Sequence, residues 1–451
     1  MKKLFTLLCF SFITFYSANS QTYPVGYVST TYNDPARSRD LTCWIYYPGV
    51  SATQNASVAT GSFPVIVFGH GFVMTYSAYS NIWNVLVPKG YIVVLPTTEG
   101  TTSPSHANFG DDIAFLAAKM QLEGASSGSP FYQHIEPKSG VMGHSMGGGS
   151  SFLAAENNTS ITTMVTLAAA ETNPSSTTAA ANITIPALTI AGEDDCVAAP
   201  ATNALQMHNA LASACKTYIS INNGSHCFFA QNNFNCNFGE GTCNPVPDID
   251  RAAQQDAAAD LFTLWFDHWL KGSCPAWEDL QDSLAVSPRI TSQQSCTQPT
   301  PVISMNGIYL EANPLGTYYQ WYYDGAEIPG ANGQLHQPDQ DGNYTVGVNY
   351  STNCPVMSAP YIYTTTGIEN HSREEIKVFP YFVDEVIQIK RTGASGKMEI
   401  RIYDTAGKLL MQVSTVSQQT VINISSLSTG LYFINFAFEN EVIQSQKFVK
   451  R

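Results

Sequence analysis

The stretch Gly140–Ser151, GVMGHSMGGGSS, sets one serine among glycines directly after a short apolar run. Gly143-His144-Ser145-Met146-Gly147 fits the pattern G-x-S-x-G, which marks a sharp turn between a strand and a helix. Such a turn holds the serine in a strained conformation with its Oγ exposed. Its neighbours must be small, because a Cβ there would clash with the adjacent strand and helix. GVMG reads as the strand and MGGGSSFLAAE as the helix, although glycines weaken its first turn. A flexible glycine-rich loop is the competing reading, and a strand before and a helix after the serine argue against it.

Working outward, strand-like and helix-like runs alternate from about Cys43 to about Leu270. Strands read at CWIYYP, FPVIVFGH, YIVVLP, SGVMGHS, ITTMVTLA, IPALTIAG and TYISIN. Several are continuous apolar runs, as expected when both faces of a parallel sheet are covered. DDIAFLAAKM places Ile113, Leu116, Ala117 and Met120 on one helical face. DIDRAAQQDAAADLFTLWFDHWL opens on acidic residues and ends in aromatic ones, which suits a closing helix. The alternation predicts an α/β-hydrolase fold with a doubly wound, mostly parallel sheet over residues 21–272, followed by small all-β domains.

In that fold the acid and the base follow the nucleophile in the order Ser, Asp, His, at the ends of later strands. IPALTIAGEDDCVAAP ends in Glu193, Asp194 and Asp195. Asp195 is the preferred acid because it lies after a short turn and before a Pro-led helix, with Asp194 as the alternative. TYISINNGSHCFF presents His226 in the loop after the next strand. His70 and His144 flank other motifs, His208 and His268 fall on helices, and His106 and His134 precede the serine. Ser145, Asp195 and His226 are therefore the candidate catalytic residues. Met146, which follows the nucleophile, and Phe72, in the loop after PVIVFGHGF, are the expected oxyanion donors, with Gly71 allowing close backbone approach. A simple strand-ending turn is the competing reading of His70-Gly71-Phe72.

Composition bounds the partners. Lys2 and Lys3, an apolar core from Leu4 to Tyr16 and Ala18-Asn19-Ser20 form a leader expected to be cut before Gln21. No other segment reads as a membrane span. The net charge is -14, and the basic residues are concentrated in the last segment. The rest of the chain is acidic, which argues against nucleic acid and anionic membranes and favours neutral substrates. Of 10 cysteines, Cys9 leaves with the leader and nine face an oxidising compartment, so at least one stays unpaired in a monomer. Connectivity is not readable from sequence, but Cys236 and Cys243, which bracket a short Gly-containing loop, are a suggestive pair. Zinc is disfavoured by the lack of C-x-x-C pairs, and no cofactor is called for.

After Leu270 the pattern changes. Residues 273–296 read as a linker. Residues 297–366 carry short strands with turn signals at Asp324-Gly325 and Asp341-Gly342, which suggests an immunoglobulin-like sandwich, although no strand-B cysteine stands opposite Cys354. Residues 367–451 read as another small β unit. Its VFP entry, IYDTAGK, INISSLSTGLYFI and basic end resemble the sorting domain that Bacteroidetes type IX secretion systems read. The segment VFPYFVDE departs from the Asn-Pro usual after the first proline. The resemblance implies the type IX machinery as a partner, and secretion or display on the cell surface.

GVMGHSMGGG, GHGF, GEDDCVA and NGSHC together resemble the bacterial cutinase-type polyester hydrolases, including poly(ethylene terephthalate) hydrolases. They are also similar to the wider dienelactone hydrolase and platelet-activating-factor acetylhydrolase branches. The resemblance implies that Phe72 packs on substrate with Met146 opposite it. It also implies that Ala170 of TLAAAETNPSS stands where relatives carry a tryptophan, which opens the cleft or weakens an aromatic clamp. By analogy Cys196 and Cys227 could bridge the acid and histidine loops. The absence of a long lid insertion suggests an open, shallow cleft. The expected activity is hydrolysis of carboxylic esters, of polyesters in particular, by a monomer. A small-ester or lipid esterase is the alternative. From another class, a surface adhesin on a dead hydrolase would lack the complete set of candidates found here.

Overall fold

The computed structural model describes residues 22–241, 243–244, 248–296, 299–350, 354–364, 375–379, 382–392, 396–438 and 441–451. The expected leader lies outside them. A nine-stranded sheet organises the first part. Its strands are β1 (Val25–Asp34), β2 (Arg39–Pro48), β3 (Phe63–Gly69), β4 (Ile92–Pro96), β5 (Ile135–His144), β6 (Thr163–Leu167), β7 (Ala187–Gly192), β8 (Cys215–Ile221) and β9 (Ile290–Cys296), in the order β1-β2-β4-β3-β5-β6-β7-β8-β9. From β4 across to β8 neighbours run parallel. The β1–β2 hairpin joins β4 antiparallel at one end, and β9 joins β8 antiparallel at the other. With helices on both faces, this is the expected α/β-hydrolase architecture.

The apolar runs are continuous because both faces are packed. Along β3, Ile66 and Phe68 enter one core while Val65 and Val67 enter the other. The first core is closed by α1 (Ser80–Leu86) and by α7 (Arg251–Lys271), whose Leu261, Phe262, Trp265 and Phe266 are buried. Asp250 caps α7 by accepting from the Ala252 N–H, and Gly272 stops it in a left-handed conformation at φ 71. The Trp265 indole N–H donates to Thr163 Oγ1 at 2.8 Å, which locks the helix under β6. The second core is closed by α2 (His106–Ala125) and α3 (Met146–Ala155). Ile113, Leu116, Ala117 and Met120 of α2 all face inward, as their spacing predicts. Asp112 of α2 is fully buried, and Arg37 and Arg39 from the β1–β2 hairpin pair with it at 2.8 Å each. Short helices α4 (Ser176–Ala180), α5 (Ala204–Ala210) and α6 (Phe234–Glu240) follow later strands.

The linker expected over 273–296 is corrected. Those residues form α8 (Cys274–Val286), capped by Ser273, and strand β9. Leu280 and Ala276 give α8 a packed face, and a Cys215–Cys296 disulfide ties β9 to β8. β9 carries no strand signal in the sequence because, at the sheet edge, its centre, Thr291–Ser295, is exposed and polar.

Beyond β9 lie two small antiparallel sheets. One pairs Val302–Asn306, Tyr309–Asn313 and Leu335–His336; the other is built on Tyr318–Tyr323 and Gly342–Asn349. Trp321, Tyr344, Val346 and Val348 are fully buried. Asp324 and Gly325 both take positive φ, 44° and 83°, as a two-residue hairpin turn requires. A Cys274–Cys354 disulfide fastens α8 to this region.

The terminal unit contains a three-stranded and a five-stranded sheet over a core of Ile387, Ile389, Ile400, Ile402, Ile434, Phe436 and Phe448. In its IYDTAGK turn, Asp404 Oδ1 accepts from the N–H groups of Ala406 and Lys408, and Gly407 sits at φ 80. Pro380 and Tyr381 of the VFPYFVDE segment lie outside the described residues.

Candidate active site

Ser145 stands between β5 and α3 with φ 56 and ψ -120, a backbone state that a residue with a side chain adopts only when its surroundings impose it. The imposition comes from close packing. A Cβ at Gly143 would lie 2.2 Å from the Gly147 carbonyl oxygen, and one at Gly147 would lie 2.1 Å from that of Gly69. The glycines let the turn sit directly against β3 and α3. The Ser145 N–H donates to the Leu167 carbonyl at 3.0 Å and anchors the turn to β6.

The structure brings the three sequence-selected side chains into one hydrogen-bonded line. His226 Nε2 lies 2.9 Å from Ser145 Oγ, and its Nδ1 lies 2.7 Å from Asp195 Oδ2. Asp195 and His226 are buried, 3% and 2% exposed. The second carboxylate oxygen of Asp195 accepts from the N–H groups of Val197 and Ala198 at 2.9 and 2.8 Å, which fixes the plane of the carboxylate. The neighbouring acids have other contacts. Glu193 is exposed and accepts from the Asn223 N–H, and the Asp194 backbone is tied to Gly224.

Three supports were not foreseen from sequence. Gln254 of α7 grips the loop before the histidine, accepting from the Ser225 N–H at 2.8 Å and donating to the Ser225 carbonyl at 2.7 Å. His144, fully buried beside the serine, donates from Nε2 to the His226 carbonyl at 2.9 Å. Its Nδ1 faces the Tyr79 hydroxyl at 3.0 Å, and that hydroxyl accepts from the Gly71 N–H at 2.7 Å. Burial, with His226 beside it, holds the His144 pKa well below the ordinary value, so the ring stays neutral and serves as a fixed spacer. The chain Gly71–Tyr79–His144–His226 joins the loop after β3, the serine turn and the histidine loop.

Phe72 is 48% exposed at the mouth of that loop. Among the described residues its N–H has no hydrogen-bond partner. Met146 opens α3, so its N–H lacks a partner four residues earlier in the helix. Both N–H groups are therefore available to an acceptor. The Met146 side chain, expected on the substrate wall opposite Phe72, is 3% exposed because it belongs to the second core. Ala170 donates its N–H to the Ser145 carbonyl and carries no ring over the serine. Among the described residues no three His, Cys, Asp or Glu side chains gather as a metal ion would need.

The suggested Cys196–Cys227 bridge and the Cys236/Cys243 pairing are corrected. Cys196 bonds Cys243 and Cys227 bonds Cys236. The acid and histidine loops are thus each tied to the segment around α6 rather than to each other, because that segment lies across both. The cysteine left unpaired among the described residues is Cys43, buried in the second core, where burial pushes its thiol up to about 12.

Fold and site together define an α/β-hydrolase. Comparison with protein families narrows this: residues 41–242 match the PET hydrolase-like family, and residues 377–451 match the secretion system C-terminal sorting domain. The chain thus carries a PET hydrolase-like domain followed by a type IX sorting domain, and the latter marks it for secretion and cell-surface export. No curated protein matches it. No helix among the described residues is long and apolar enough to cross a membrane.

Proposed function

We propose that this protein hydrolyses carboxylic esters, those of polyesters in particular, through a Ser145–His226–Asp195 triad. The observation that carries the reading is the unbroken line from Asp195 Oδ2 through both nitrogens of His226 to Ser145 Oγ. His226 takes the proton from Ser145 as its Oγ attacks the ester carbonyl. Asp195 accepts from Nδ1–H, which holds the tautomer and stabilises the imidazolium that forms. The Phe72 and Met146 N–H groups receive the oxyanion, each contributing about 3 kcal/mol in the transition state. His226 then gives its proton to the leaving alkoxide. Water, deprotonated by the same imidazole, releases the acyl group and restores the serine.

The exposed Phe72 and the open position at Ala170 support a substrate too bulky for a closed pocket. An organophosphonate is expected to label Ser145 in the intact protein and not the Ser145→Ala variant; no labelling would refute the mechanism. Product release from an amorphous poly(ethylene terephthalate) film, set beside turnover of p-nitrophenyl butyrate, tests the substrate class. Turnover of the soluble ester with no release from the film would assign the protein to small esters.

A further inference from the structure

We propose that Phe234 and Phe238 of α6 form an aromatic platform that binds a stretch of polyester chain outside the ester being cleaved. The proposal rests on the polyester reading above and names a binding site for that substrate. The two rings are 82% and 75% exposed, the most exposed phenylalanines of the α/β region. Scattered apolar side chains on a surface need no explanation. These two are not scattered: they stand four residues apart on one helical face, stacked with centroids 6.3 Å apart and planes inclined by 29°. With Asn232 and Asn237 they line a groove of about 400 Å³.

The mounting ties the platform to the candidate active site. Cys236 on the same short helix bonds Cys227, the residue after His226. Cys243, just beyond the helix, bonds Cys196, the residue after Asp195. Asn235 donates to the Val73 carbonyl at 2.8 Å, next to the exposed Phe72. Glu240 accepts from the Cys227 N–H, and Asn237 from Arg251. A seven-residue helix held at so many points keeps its rings exposed and fixed, so little ordering entropy opposes binding. The groove offers rings and neutral amides and no charge. Its occupant is accordingly a neutral chain with flat apolar repeats, continuous with one lying over Phe72.

The test measures adsorption of the full chain to an amorphous poly(ethylene terephthalate) film in a Ser145→Ala background, where nothing is turned over. Adding Phe234→Ala and Phe238→Ala is expected to weaken adsorption about five- to tenfold, as the loss of ring stacking implies. Phe234→Trp with Phe238→Trp should restore it. Far-UV circular dichroism and melting check folding, and Phe238→Ser alone gives a second, milder variant with a smaller loss. Adsorption unchanged by the double alanine variant would overturn the platform. So would a reversible dimer of the parent chain that the same variant abolishes, since the rings would then cover a second copy. If adsorption falls as expected but the Ser145 enzyme releases nothing from the film, the platform stands as a binding site and the polyesterase reading fails.

Discussion

The Tyr79 hydroxyl and the imidazole of His144 face each other at 3.0 Å inside the protein, and the other His144 nitrogen holds the backbone of His226. Tyr79→Phe removes this hydroxyl and leaves the Gly71 N–H and a His144 nitrogen buried without partners. Such a loss costs about 1–3 kcal/mol per group. Chemical denaturation should show that loss. In the fraction still folded, kcat should fall with little change in KM, because the pair positions His226 and the loop after β3 rather than substrate. A destabilised variant with unchanged kcat would make the pair purely structural.

The two aspartates after β7 separate cleanly by substitution. Asp195→Asn should lower kcat by about 10⁴, as when a triad histidine loses its orienting carboxylate. Asp194→Asn, which leaves the Asp195 carboxylate in place on His226 Nδ1, should retain most activity. Steady-state kinetics on a soluble ester distinguish the two; equal losses would refute the assignment.

Gly147→Ala places a methyl group 2.1 Å from the Gly69 carbonyl, a backbone atom that cannot swing aside. The expected cost is about 3 kcal/mol or more, at the top of the overpacking range. The readout is soluble yield and the midpoint of urea unfolding.

Breaking the Cys215–Cys296 disulfide by a double change to Ala removes a cross-link across a sequence separation of 81 residues. Loop-closure entropy puts its contribution at about 4–5 kcal/mol. Hydrogen exchange should then show β9 losing protection before β8, while the bonds around Ser145 persist.

Acidification should weaken the fold through buried neutral histidines. Burial, with Lys216 nearby, lowers the His208 pKa to about 4. The unfolded chain binds that proton near 6.5 and the folded protein only near 4. Between those values the unfolded state holds more protons, so stability falls as pH drops through this window and is retained above it. His208→Gln should flatten the decline in melting temperature between about pH 6.5 and pH 4; an unchanged slope would assign the decline to other groups.

The sheet was legible because its parallel strands are buried on both faces and read as apolar runs. Ser145 and His226 were legible because the fold fixes their order and their place after strands. The choice between Asp194 and Asp195 was not, since one residue of turn geometry decides which carboxylate reaches His226. β9 escaped notice because an exposed edge strand carries no apolar alternation. The disulfides depend on which loops meet in space, which spacing does not encode. FNCNFGE at α6 carries phenylalanines at a spacing that ordinarily signals a buried face; here the face is open. The inward turn of Met146 was equally hidden, because a residue that opens a helix can point either way.

Cys196 and Cys227, each one residue beyond a member of the hydrogen-bonded line, are both oxidised. Their bridges cannot persist in a reducing cytoplasm. While the newly made chain remains there, the loops bearing Asp195 and His226 lack their covalent braces. Crossing into an oxidising compartment is therefore the step at which the loops bearing Asp195 and His226 gain their disulfide braces to the segment around α6.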